Sequence, residues 1–139
     1  MSDSSALTAV ALVQMAEVDV PYDEAVTLTR EALAAAGFGV LTEIDVKATL
    51  KKKLDAEFRP YVILGACNPP LAHAALQAEP ELGVLLPCNV VVYIRNGETH
   101  VAAVDAERML SIVGNEELAP VAADVRARLA AVVERVVGA

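Results

Sequence analysis

The chain has 139 residues, of which 55% are apolar and 4% aromatic, with no tryptophan and a net charge of −8. A chain of this length suits one domain that buries roughly 68% of its unfolded surface without a disulfide or metal staple. The acidic balance excludes phosphate-backbone binding, which needs clustered Lys and Arg, and the scarcity of aromatic platforms argues against single-stranded nucleic acid as a partner.

No run reaches the roughly 18 apolar residues that a membrane span requires. The first twenty residues place Asp3 where a targeting segment would carry Lys or Arg, and Gln14 and Glu17 break the apolar run. They read as a strand, not as a signal peptide. In this strand Val10, Leu12, Val13, Met15, Val18 and Val20 alternate imperfectly, and Pro21 ends it. "YDEAVTLTREALAAAG" then carries Ala25, Leu28, Ala32 and Ala36 at helical spacing, with Asp23 and Glu24 at its positive end and Gly37 as its C-terminal cap. "FGVLTEIDV" puts Phe38, Val40, Thr42 and Ile44 on one face of a half-buried strand. Asp45 caps a short helix, "VKATLKKKLDAE", with Val46, Leu50 and Leu54 as its buried stripe.

"PYVILGAC" is a third strand, and its near-continuous apolar run suggests burial on both faces or a central position. Asn68-Pro69 starts a helix: asparagine caps, and proline in the first turn gives up a hydrogen bond that would be unmade anyway. That helix, "PLAHAALQA", stops near Pro80. Pro87 leads into "CNVVVYIRNGETHVAAVD", two alternating runs around Asn96-Gly97, the preferred pair for a tight type I′ hairpin. Asp105 caps a short helix through Met109 and Ile112. A final helix begins close to Ala119, because Pro120 is costly in a helix interior, and its stripe is Leu118, Val121, Ala122, Val125, Leu129, Val132 and Val136. The sum is one α+β domain over residues 1–139, a mainly antiparallel sheet covered by helices in two layers.

Three short motifs lie along this frame: Gly37-Phe38 after the first long helix, Asn68-Pro69 after the central strand, and Leu86-Pro87 before the hairpin. With them the chain resembles the prokaryotic domain-of-unknown-function family 302, over about residues 12–133 and in the subset carrying CNP and PCN. The resemblance implies a TATA-binding-protein-like β-α-β4-α sandwich with short extra helices, often a homodimer, with antiparallel central strands. It implies no activity.

The only cysteines, Cys67 and Cys88, are each followed by asparagine. If their strands ran parallel, the thiols would stand at opposite ends, roughly 20 Å apart. If the strands are antiparallel neighbours, as the resemblance implies, Cys67, Asn68, Cys88 and Asn89 gather at one sheet end, and His73 looks toward them from the helix. These five residues form the candidate ligand or thiol site. A helix start beside Cys67 is a source of thiolate stabilisation, yet no Cys-x-x-Cys is present, and free cysteine often packs as a small hydrophobe. Two cysteines and His73 lack a recognised zinc spacing and a fourth ligand, so no metal and no cofactor is expected.

His100 reads as a surface residue on the face opposite Thr99, Val101 and Ala103. Lys51, Lys52 and Lys53 read as a solvated face, with Lys51 at ion-pair spacing from Asp55. Glu43 and Asp45 share a strand face, and Asp45 already serves as a cap. No P-loop, dinucleotide fingerprint or Ser-His-Asp arrangement occurs. The expectation is a cytoplasmic, non-enzymatic homodimer that binds a small molecule or partner, without nucleic acid or membrane. A thiol-dependent enzyme or redox sensor on Cys67 and Cys88, or a metal or cofactor carrier, are the alternatives.

Overall fold

The computed structural model describes residues 8–10 and 13–139. Leu12, placed by its pattern in the first strand, and the first residues, read as a non-targeting segment, lie outside them. Strands β1 (Thr8–Val10), β2 (Val13–Val18), β3 (Gly39–Asp45), β4 (Tyr61–Cys67), β5 (Cys88–Arg95) and β6 (Glu98–Val104) form one sheet. Its order is β1-β2-β6-β5-β4-β3, and every neighbouring pair is antiparallel. The helices are α1 (Tyr22–Ala35), α2 (Val46–Leu54), α3 (Pro69–Ala78), α4 (Ala106–Ser111) and α5 (Ala119–Val137). The chain is thus an α+β fold. Among the described residues, no helix is long and apolar enough to cross a membrane.

Alternation sends Ala16, Val18, Val62, Leu64, Ala66, Val90, Val92, Val101 and Ala103 to one face of the sheet, where they meet Ala25, Ala32 and Leu33 of α1 and Leu129, Val132, Val133 and Val136 of α5. The α5 stripe is buried as its spacing predicts, with the helix beginning at Ala119. On α1 the stripe also includes Thr29, whose hydroxyl donates to the Ala25 carbonyl at 2.7 Å, so its one polar group is satisfied within the helix. A second, smaller core of Ala75, Leu82, Leu110, Leu118 and Ala122 lies between α3, α4, the start of α5 and a 3-10 segment at Pro80–Leu85.

Turn chemistry does what the residues require. Asn96 and Gly97 both take positive φ, 55° and 80°, closing the β5–β6 hairpin. Gly37, at φ 90°, ends α1 and turns the chain into β3. Asp45, Asn68 and Asp105 each cap a helix through a side-chain oxygen, accepting from the amides of Ala48, Leu71 and Arg108.

Two packing expectations fail. A bulge between Val40 and Thr42 shifts the register of β3 against β4. Phe38 and Val40 therefore pack on the core, whereas Thr42 and Ile44 stand opposite Gly65 and Ile63 on the other face, and Ile44 is 47% exposed. Helix α2 buries no residue at all, and Leu54 at its end is 71% exposed. It grows from the edge strand β3, and of its Val46-Leu50-Leu54 stripe Val46 and Leu50 are only half-buried while Leu54 stands in solvent. Lys51 does pair with Asp55, at 2.7 Å, and with Glu57 at 3.0 Å, and these two carboxylates hold its ammonium above the usual lysine pKa.

The second sheet face, among the described residues, carries neither α1 nor α5. It holds an aromatic ladder set by register: Tyr61 opposite Tyr93, and Tyr93 opposite His100. The rings stack in sequence with centroids 5.2 Å apart at both steps, and Phe58 extends the column to Tyr61 at 6.2 Å.

Candidate functional site

Cys67 closes β4 and Cys88 opens β5. Cys88 pairs with Ala66, so the thiols meet at one end of the sheet. Antiparallel pairing therefore decides their placement as the resemblance implied. A cavity of about 290 Å³ opens there, at the seam between the two cores. Phe38, Ala66, Cys88 and Val125 come from the main core, Ala75, Leu82 and Leu110 from the smaller one, and Leu41 and Leu76 stand at the exposed side. Among the described residues, Asn68 is the one polar side chain of the lining besides the thiols, and no carboxylate, lysine, arginine or histidine takes part.

The chain builds this space by local rules. Asn68 accepts from the Leu71 amide at 3.2 Å and so starts α3 directly after β4. The helix then turns Leu71, Ala72, Ala75 and Leu76 toward the cavity, the spacing of one helical face. On the far side, the Asn115 amide nitrogen donates to the Ala78 carbonyl at 3.2 Å and to Glu79 at 3.1 Å, tying the end of α3 to the segment before α5. Asp105 anchors α4: it is 1% exposed, caps that helix and accepts from Arg126 Nε at 3.1 Å. The Leu86-Pro87 peptide is cis, and Pro87 lies on the rim beside Cys88.

Of the five residues singled out by sequence, Cys67, Asn68 and Cys88 line the cavity and two do not. His73 is exposed on α3, because it falls off the face formed by Leu71, Ala72, Ala75 and Leu76. Asn89 is exposed on the opposite sheet face, where strand alternation puts it once Cys88 and Val90 point inward. With His73 turned away, the cavity offers two sulfur donors and no nitrogen ligand, an incomplete set for a tetrahedral ion. Burial, with the nearby charge of Cys67, pushes the Cys88 thiol up to about 11. This thiol is neutral at physiological pH.

Sequence reading missed the contribution of Met109, Leu110, Val121 and Val125. The signal lay in the α5 stripe, whose first turns face the cavity instead of the sheet. It also missed a cluster on the other face. His100 stacks on Tyr93, approaches Glu17 of the neighbouring strand at 3.7 Å, and has Nδ1 at 3.1 Å from the Glu98 carbonyl. The donor atoms of Glu17, Glu98 and His100 all lie within 4.8 Å of one another. Its side chain is 13% exposed, so it is not the free surface histidine expected. The Glu98 carboxyl is raised above its ordinary value by a hydrogen bond with Glu17 and by that group's charge.

An antiparallel sheet packed against α1 and α5, with an apolar cavity at one end, defines a small α+β domain. The chain belongs to the family described as domain of unknown function DUF302, which it matches over residues 14–136. Among solved structures it is similar to an uncharacterised conserved DUF302 protein from Bacillus stearothermophilus, at 32% identity and a TM-score of 0.85, over 91% of this chain and 98% of that one. No curated protein matches the chain.

Proposed function

We propose that this DUF302 domain is a non-enzymatic binding protein whose ligand is a small apolar molecule held between β4, β5, α3, α4 and α5. The observation that carries the reading is the cavity itself: about 290 Å³, apolar, and lined among the described residues by no carboxylate, lysine, arginine or histidine. That volume lies at the lower end of ligand pockets, which run from about 300 Å³ upward. A reaction would need a proton donor, a base or an activated nucleophile facing the bound molecule. The neutral Cys88 thiol supports binding over the thiol-dependent alternative, since the thiolate is the reactive species.

The proposal includes self-association in the cytoplasm. Its support is the sheet face bearing Ile63, Val91 and Tyr93, which packs against neither α1 nor α5, together with the apolar excess and the free thiols. Sedimentation at micromolar concentration returns a dimer if this holds and a monomer if it does not.

The binding reading is tested by methyl-detected NMR with n-hexane and 2-hexanone as probes. Saturable shifts are expected at Leu71, Leu110 and Val125, and Ala75→Phe, which fills the space, abolishes them. A flat response to both probes would overturn the reading.

A further inference from the structure

The second sheet face carries a group of donor atoms that the cavity does not use. The β2–β6 register sets Glu17 directly opposite His100, and strand alternation puts Glu98 on the same face of β6. The ligating atoms of the three side chains all lie within 4.8 Å of one another.

His100 is held in place by the ladder beside it. Its ring lies against Tyr93 with centroids 5.2 Å apart at an interplanar angle of 11°, and its side chain is only 13% exposed. Nδ1 stands 3.1 Å from the Glu98 carbonyl, which can only accept, and this contact assigns the hydrogen to Nδ1. The neutral ring therefore keeps its lone pair on Nε2, the atom that faces Glu17. A histidine whose other ring nitrogen donates to a backbone carbonyl is the usual outer-shell arrangement of a metal ligand.

Nε2 and Glu17 Oε1 are 3.7 Å apart, too long for a direct hydrogen bond. A lone pair and a carboxylate are both acceptors, so a proton or a cation must stand between them. Ligands about 2.1 Å from a tetrahedral zinc ion lie roughly 3.4 Å from one another, close to the observed separation. Glu17 and Glu98 are exposed, and ordinary rotamer changes bring both carboxylates to that distance. Among the described residues, no lysine or arginine pairs with either of them. Both also line a solvent-open depression of about 600 Å³, which adds Asp19 and, among the described residues, no basic side chain. That depression supplies an entry path and room for water at an open coordination position.

We infer that Glu17, Glu98 and His100 form a binding site for one divalent first-row transition ion of the zinc class, with His100 Nε2 and one oxygen of each carboxylate as ligands. One imidazole with two carboxylates suits zinc and its neighbours, whereas all-oxygen sets suit magnesium and calcium. The site shares no residue with the apolar cavity and stands independently of the binding reading above.

The test titrates Zn²⁺ alone into the tag-free, chelator-stripped full chain and follows the imidazole nitrogens by NMR. The chain has two histidines, so the exposed His73 is the internal control. His100 Nε2 is expected to shift saturably at one equivalent, while His73 stays in place and Mg²⁺ moves neither. Glu17→Gln and Glu98→Gln each keep the side chain's size and remove one charged ligand at an exposed position. Each should weaken the Zn²⁺ affinity read at His100 by about tenfold or more, the range in which even the loss of an outer-shell partner falls. An equal shift at His73, or an affinity unchanged in either variant, overturns the inference. A His100 ring that responds to pH and not to Zn²⁺ overturns it as well, because a proton then occupies the place assigned to the ion.

Discussion

Cys88 stands opposite Ala66 in the antiparallel ladder, one step from Cys67, and the charge of Cys67 is felt at Cys88. The two thiols nevertheless differ in surroundings. Cys88 is 8% exposed within the main core, whereas Cys67 is half-buried at the cavity. An apparent mirrored motif is thus one packed thiol and one accessible thiol.

This difference predicts a loss of stability at high pH. Cys88 titrates near 11 in the folded protein against an ordinary value of 9.0. The unfolded chain loses this proton first, so stability is full below pH 9 and declines as pH rises toward 11. By pH 11 the contribution reaches about 2 kcal/mol. Urea unfolding of wild type and Cys88→Ala at pH 8 and pH 10.5 checks it: the gap between the two proteins should narrow or reverse at the higher pH. A constant gap would mean that Cys88 ionises freely. In the same protein, alkylation at neutral pH should modify Cys67 alone until denaturant is added.

Glu98 gives a prediction at the other end of the scale. Its carboxyl is raised from 4.5 by the hydrogen bond and charge of Glu17. The folded state therefore holds this proton more tightly than the unfolded state, and stability falls as pH rises through the folded value. Glu98→Gln removes the repulsion between the two side chains. Its melting temperature should exceed that of wild type at pH 7, and the advantage should vanish near pH 4. An equal advantage at both pH values would assign the gain to something other than this pair.

Tyr93 holds the centre of the aromatic ladder, with Tyr61 on one side and His100 on the other. Each cross-strand pair contributes roughly 0.2–1 kcal/mol. Tyr93→Ala should thus cost about 1–2 kcal/mol in chemical denaturation, and Tyr93→Phe much less, because the ring contacts survive. A Phe variant as damaged as the Ala variant would locate the effect in the hydroxyl and not in the stacking.

Local chemistry was legible in the sequence wherever one residue type carries its own backbone preference. Asn96-Gly97 specifies the hairpin, Asn68-Pro69 the start of α3 and Pro120 the start of α5. These also brought Cys67, Asn68 and Cys88 together, given antiparallel pairing. Features that depend on which strand lies next to which were not legible. The bulge at Leu41 reverses the faces of Thr42 and Ile44, and Gly39, two residues before it, was the one local sign of an irregular strand. The Glu17–His100 approach joins residues far apart in the chain through the β2–β6 register. Helix α2 has an acceptable stripe, but at the edge of the sheet it is covered only in part, Val46 and Leu50 half-buried and Leu54 exposed.

Gly65 is the residue where fold and cavity meet most tightly, and it carries the last prediction. It sits in interior strand β4, next to the edge strand, opposite Thr42 and Asn89, buried although it has no side chain. A Cβ there would stand 2.8 Å from Pro87 Cγ and closer still to Thr42 Oγ1. Neither neighbour yields cheaply: Thr42 is β-branched in a paired strand, and Pro87 is a ring at the cavity rim. Gly65→Ala should therefore destabilise the protein by about 1–3 kcal/mol, as overpacking does. Pairing it with Thr42→Gly should restore part of that loss, since only the Pro87 contact then remains. The shift at Pro87 should also weaken 2-hexanone binding in Gly65→Ala, even under conditions where the variant is fully folded. A stable Gly65→Ala with unchanged binding would show that the strand and the rim move freely past one another, contrary to the packing described above.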